Sequence, residues 1–171
     1  MEELTNADIS AAVLPPHSWA NGTGENFEGD LTFFSSAPEG IVMVTYGDVV
    51  NCEEPMRFGI LSGDDLVTRL AIEVPNVQRL VFAIGGVDGL LRCPPQRATE
   101  DDLIEVWNPD IKFEGEHQQD NDVTGGIGLK AARGAKVAQK GIEVMMVSGQ
   151  HPQRVANACI GVETRGTKVV S

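Results

Sequence analysis

The sequence predicts an α/β fold, with a mostly parallel sheet and helices on both faces. Three observations carry that expectation. Apolar, β-branched runs of strand length recur at residues 41–45, 79–84 and 143–147, the pattern of strands buried on both sides. Segments of helical character fall between and after them, at residues 62–72, 131–140 and 150–160. Glycine-plus-acid turns follow the strands, where open α/β sheets gather their ligands.

Taken in order, residues 9–14 are short and apolar, and Pro15-Pro16 stops them. They read as a buried strand that opens into a loop, residues 17–24, carrying Trp19. Residues 27–34 hold a short strand and turn. Residues 41–45 read as a buried strand, with Tyr46-Gly-Asp48 at its carboxyl end. Val49-Val50 and residues 58–61 flank a charged turn and read as a hairpin. Ser62 is a good helix N-cap, Asp64 and Asp65 complement the helix dipole, and Leu66, Val67 and Leu70 form a buried stripe. The strand at 79–84 runs into Gly85-Gly-Val-Asp-Gly89. Residues 103–107 make a short strand or turn, and 108–119 are polar and expected to be mobile. Pro152 sits near the start of the last helix, Gly161 closes it, and residues 167–170 form the final strand. There is no internal repeat, and 171 residues suit one domain with a real core.

Composition limits the partners. Hydrophobic residues make up 42% and aromatics 5%, so the core leans on Val, Ile, Leu and Ala. The formal net charge of −12 argues against nucleic acid and against anionic membranes. Cys52, Cys93 and Cys159 are isolated, odd in number and without close spacing, as expected of reduced thiols in a cytoplasmic protein. His17, His117 and His151 are equally scattered, so no metal site is expected. No apolar run is long enough to span a bilayer, and the acidic amino terminus is no signal peptide.

The chain is organised around Asn121-Asp-Val-Thr-Gly-Gly-Ile-Gly-Leu-Lys130, which runs directly into an alanine-rich helical segment. A glycine turn that delivers a lysine at a helix start suits an anion, because first-turn N–H groups lack intrahelical partners and the dipole is positive there. Lys130 adds a mobile point charge that can reach the phosphates of a nucleotide. The pattern is not the Walker loop, since no Gly-Lys-Ser/Thr follows with that spacing. Paired glycines before a helix are more often a plain tight turn.

Four glycine loops thus stand at strand ends: Tyr46-Gly-Asp48, Leu61-Ser-Gly-Asp64, Gly85-Gly-Val-Asp88 and Thr124-Gly-Gly126. Together with Gly-Ile-Leu-Ser-Gly-Asp-Asp, Val-Asp-Gly-Leu, the closing Gly-Thr-Lys-Val and Pro15-Pro-His-Ser-Trp19, they resemble, in order and spacing, the amino acid kinase superfamily. Within it they resemble the isopentenyl phosphate kinases. That resemblance implies a three-layer α/β/α sandwich, here incomplete at its amino terminus. It also implies phosphoryl transfer from ATP, with Mg²⁺, to a small-molecule phosphate acceptor, isopentenyl phosphate, giving isopentenyl diphosphate for isoprenoid biosynthesis.

Carried over residue by residue, Lys130 is implied to bind ATP phosphates and steady transition-state charge, and Asp64 to organise active-site lysines. Gly63, Gly47 and Asp48 are implied on the acceptor side. Gly86, Asp88, Thr124, Gly125 and Gly126 are implied on the nucleotide side. Two departures stand out. Gly85-Gly86 replaces a Thr-Asp pair common in the family. The family's amino-terminal lysine, glycine loop and histidine have no counterpart before residue 9. A sheet so truncated would expose an edge and an apolar face, so a homodimer, or association with an amino-terminal half, is expected.

Each assignment has a plainer alternative. Lys130 could be a solvated helix lysine, Asp64 a helix-start acid and Asp48 a turn residue. Asp122 caps its own turn, Met145-Met146 fill the core, His17 is a loop residue and His151 helps start the last helix. At the level of function, the alternatives are a nucleotide-binding or assembly fragment without chemistry of its own, or the same fold acting on a uridylate, an amino acid or fosfomycin.

Overall fold

The structure, a computed structural model, describes residues 2–113 and 126–171, in two compact units: Met1–Pro75 and Asn76–Ser171. Unit 1 contains α1 (Glu2–Asn6), β1 (Ala11–Val13), β2 (Ala20–Asn21), β3 (Glu28–Gly29), α2 (Thr32–Ser35), β4 (Val42–Val44), β5 (Asp48–Asn51), β6 (Phe58–Leu61) and α3 (Gly63–Glu73). β1 and β4 form a parallel pair, and a separate sheet has the order β3-β2-β5-β6. The expected hairpin is the antiparallel β5–β6 pair, with Val49 opposite Ile60.

The core of this unit is Ala20, Phe27, Val50, Leu61 and Leu66, with Trp19 packed against it. α3 starts where the sequence places it, because the Ser62 hydroxyl accepts from Asp65 N at 3.1 Å. Leu66 is fully buried, while Val67 and Leu70 are only half-buried. Leu66→Ala is expected to cost about 2–5 kcal/mol through lost burial and a residual cavity. Chemical unfolding followed at Trp19 would register that loss.

Two strands expected to be buried are not. β4 is confined to three residues with Val42 44% exposed, and β1 likewise exposes Val13. A two-stranded pair has no neighbours to cover both faces. The hairpin is also open on one side, where Val49, Phe58 and Ile60 are all more than half exposed.

Unit 2 contains β7 (Arg79–Ile84), β8 (Val106–Trp107), α4 (Gly126–Ala138), β9 (Glu143–Ser148), α5 (Pro152–Ile160) and β10 (Thr167–Val169). Its sheet has the order β7-β9-β10-β8. The β7–β9 pair is parallel over six residues, from Arg79↔Glu143 to Ile84↔Ser148. Both helices pack on this sheet, and Val144, Met146, Val147, Val137, Ala131 and Val169 are buried between the layers.

The sheet is mixed, because β10 lies antiparallel to β9, with Thr167 opposite Met146. α5 carries the chain back along the sheet, and residues 161–166 carry it forward again. Six extended residues reach about 20 Å, enough to undo the return of a nine-residue helix. Gly161 makes that reversal with φ +75° at the end of α5. Among the described residues, no helix is long and apolar enough to cross a membrane.

Candidate functional site

The site in unit 2 grows from the carboxyl end of β7. The strand stops at Ile84, and Gly86 takes φ +75°, a conformation that disfavours any side chain. α4 begins at Gly126, and Lys130 lies about one turn further on. These segments enclose an open cavity of about 460 Å³, lined by Gly85, Gly86, Val87, Pro95, Gln96, Gly126, Ile127 and Lys130 together with Ala83 and Ile84.

The cavity has apolar walls, glycine backbone along one side and one ammonium group. That combination suits a ligand with a flat apolar part and an anionic part. Gly86, Gly126 and Lys130 line the same cavity. Thr124 and Gly125, like Asp122, lie outside the described residues.

Asp88 does not line this cavity. Its carboxylate is held from two sides: Arg165 Nε donates to Oδ2 at 2.6 Å, and Arg154 Nη1 donates to Oδ1. Arg165 also donates to Glu100 O. Asp88 therefore fastens the end of the Gly85–Val87 loop to α5 and to the approach of β10. Burial pulls its pKa upward, but the two guanidinium groups outweigh burial and leave it below the ordinary carboxylate value.

A depressed carboxyl contributes stability above its unfolded pKa of about 3.9, and that stability is lost as pH falls through the folded value. Asp88→Asn is accordingly expected to destabilise unit 2 by about 1–3 kcal/mol at neutral pH. The gap from the parent protein should close on acidification, as read from Trp107 fluorescence at several pH values.

In unit 1, Gly47 and Gly63 touch. A Cβ on Gly47 would lie 3.2 Å from Gly63 N and 3.3 Å from Leu61 O, so the close approach favours glycine. Asp64, at the second position of α3, is only 7% exposed. Asp65 beside it is equally buried, at 6%. Asp48 accepts three hydrogen bonds: from His17 Nδ1 at 2.7 Å, from His17 N at 3.1 Å and from Val49 N at 2.9 Å. The two bonds from His17, side chain first, hold its pKa below the usual carboxylate range.

Sequence reasoning left His17 as a plain loop residue. Its partner is 31 positions away, and no local pattern connects them. Among the described residues no cluster of His, Cys, Asp or Glu could hold a metal ion.

The fold is that of the amino acid kinases, and it is α/β throughout. Solved structures of isopentenyl phosphate kinase superpose on 99% of the chain, with a TM-score of 0.77 at 24% identity and of 0.71 for a substrate complex at 23%. A product complex of the T. acidophilum enzyme gives 0.68 at 23% identity. In sequence the chain is similar to the isopentenyl phosphate kinase of Methanothermobacter thermautotrophicus, 29% identical over 98% of this chain. The chain spans 64% of that relative and 63% of each of these structures. No family model matches it.

Proposed function

We propose that the chain is an ATP-dependent phosphotransferase of the isopentenyl phosphate kinase type, working in the cytoplasm. It would move the γ-phosphoryl group of ATP onto isopentenyl phosphate to give isopentenyl diphosphate, a step of isoprenoid biosynthesis. The single observation that carries this reading is the unit 2 cavity, in which Gly85, Gly86, Gly126 and Lys130 converge. The similarity to the archaeal kinase supports it.

Phosphoryl transfer asks a protein mainly for positioning and for neutralisation of charge on the transferred group. Val87, Pro95 and Ile127 supply apolar surface for the base, while the glycine backbone and Lys130 face the phosphates. ATP fits a cavity of this size and lining. Mg²⁺ would arrive on the triphosphate, since the described residues offer it no cage of their own. On the acceptor side, Gly63 and Gly47 leave backbone N–H groups at the start of α3, and Asp64 is the acid that would order neighbouring cations.

ADP release measured with and without isopentenyl phosphate tests the reading. Release that depends on isopentenyl phosphate is expected. ATP consumption that ignores it, or no consumption under any condition, would reject the activity.

A further inference from the structure

The acceptor side of this reading poses an electrostatic problem that the structure answers. The acidity of the chain is concentrated in unit 1, where residues 1–75 carry thirteen carboxylates against two arginines and no lysine. Residues 76–171 are nearly balanced, with eleven basic and twelve acidic side chains. An anion approaching the Gly47–Gly63 contact meets Asp64 and Asp65 in the first turn of α3. The helix dipole there amounts to only about half a positive charge.

Neither arginine of the unit is available to help. Arg57 is paired with Glu54 in the exposed hairpin turn. Arg69 is spent on Glu73, on Phe27 O and Gly29 O, and on the face of the Phe27 ring. The remaining side chain in unit 1 that can carry positive charge is that of His17.

His17 is built into place. Pro16 is buried and opens a single tight turn, Pro16–Ser18, that packs on β5 and β2. The Asp48 carboxylate then takes both the backbone N–H and the ring Nδ1 of His17. Asp48 is the only titratable or charged side chain on those two strands. With Nδ1 committed to a carboxylate, the ring keeps Nε2 for another partner, and the side chain is 60% exposed. Asp48 follows Gly47 directly, so the imidazole is anchored one residue from the glycine contact. Asp48 itself is negative and already accepts three donors, which makes it a poor ligand for a phosphate.

We propose that His17 is a binding residue for the phosphoryl acceptor, presenting Nε2 to a phosphomonoester at the Gly47–Gly63 turn, and that Asp48 is the positioning residue that holds it. This rests on the kinase reading above and assigns the acceptor contact within unit 1 to an imidazole in place of the aspartate. A phosphomonoester has a second pKa of about 6, so it offers Nε2 both acceptor oxygens and, as the monoanion, a hydroxyl donor.

The test is a titration of the full chain with isopentenyl phosphate, observed at the ¹⁵N-labelled imidazole rings and backbone amides, with MgATP titrated separately. A saturable shift of the His17 ring signals is expected. His17→Gln should weaken isopentenyl phosphate by about tenfold while leaving MgATP affinity unchanged. Asp48→Asn should weaken isopentenyl phosphate in the parent but add nothing in the His17→Gln background, a coupling that simple loss of structure would not produce.

His17 signals that stay still, or a His17→Gln protein that binds isopentenyl phosphate as tightly as the parent, would overturn the proposal. If MgATP still perturbs Gly85, Gly86 and Lys130 in that case, the histidine assignment alone falls. If MgATP perturbs nothing, the kinase reading falls with it. The parent titration needs no variant, so a variant that fails to fold leaves the test intact.

Discussion

Lys130→Ala is expected to weaken ATP binding by one to two orders of magnitude, and to remove any phosphoryl transfer with it. A charge-assisted contact to phosphate contributes about 1.5–3 kcal/mol, which corresponds to that range of affinity. The expectation is specific. Lys130 stands about one turn into α4, facing the same cavity as the Gly85-Gly86 turn. Among the described residues that line this cavity, it is the one with a cationic side chain. Lys130→Arg should restore only part of the affinity, because a planar fork cannot replace a compact ammonium on a helix of fixed position. Calorimetric titration of MgATP into the three proteins measures the series. Equal affinities would mean that Lys130 is an ordinary solvated helix lysine.

Thr167→Val is expected to damage unit 2 severely. The Thr167 hydroxyl is fully buried, accepts from Leu90 N at 2.8 Å and donates to Ile104 O at 2.7 Å. It joins three segments separated by as many as 77 positions. Valine keeps the shape and strands both backbone groups. At about 1–3 kcal/mol for each buried unsatisfied group, the loss should be about 2–6 kcal/mol. Gly89 packs directly against the same hydroxyl, so there is no room for a water to take its place. Unfolding followed at Trp107 should show the loss. Thr167→Ser, which retains the hydroxyl, should recover most of the stability.

The contrast between these residues shows what a single sequence can and cannot reveal. Ser62 announced α3 because its partner, Asp65, is three residues away and the capping chemistry is local. β7 was legible from end to end because its uninterrupted apolar run stands out from its neighbours, although only one face, Leu80, Phe82 and Ile84, is fully buried. The Gly86–Lys130 pairing was legible only through the resemblance of ordered motifs. Local turn chemistry alone favoured a plain tight turn.

Other features were hidden by distance along the chain. Asp88 sits in a glycine loop beside a nucleotide-like cavity, and nothing local distinguishes a ligand contact from a clamp. The difference lies with Arg154 and Arg165, 66 and 77 positions away. His17 was equally silent, since its role depends on a carboxylate in another strand. The antiparallel placement of β10 followed from the reach of residues 161–166, which no propensity records. Exposure of Val42 and Val13 was missed because burial depends on how many strands stand alongside.

The central claim is that a nucleotide occupies the cavity between the Gly85-Gly86 turn and the start of α4. Backbone amide NMR during titration with a non-hydrolysable MgATP analogue tests it most directly. Saturable shifts centred on Gly85, Gly86, Val87, Ile127 and Lys130, and lost in Lys130→Ala, are predicted. A nucleotide that binds with its largest shifts elsewhere, or that leaves these amides unmoved at millimolar concentration, would contradict the account.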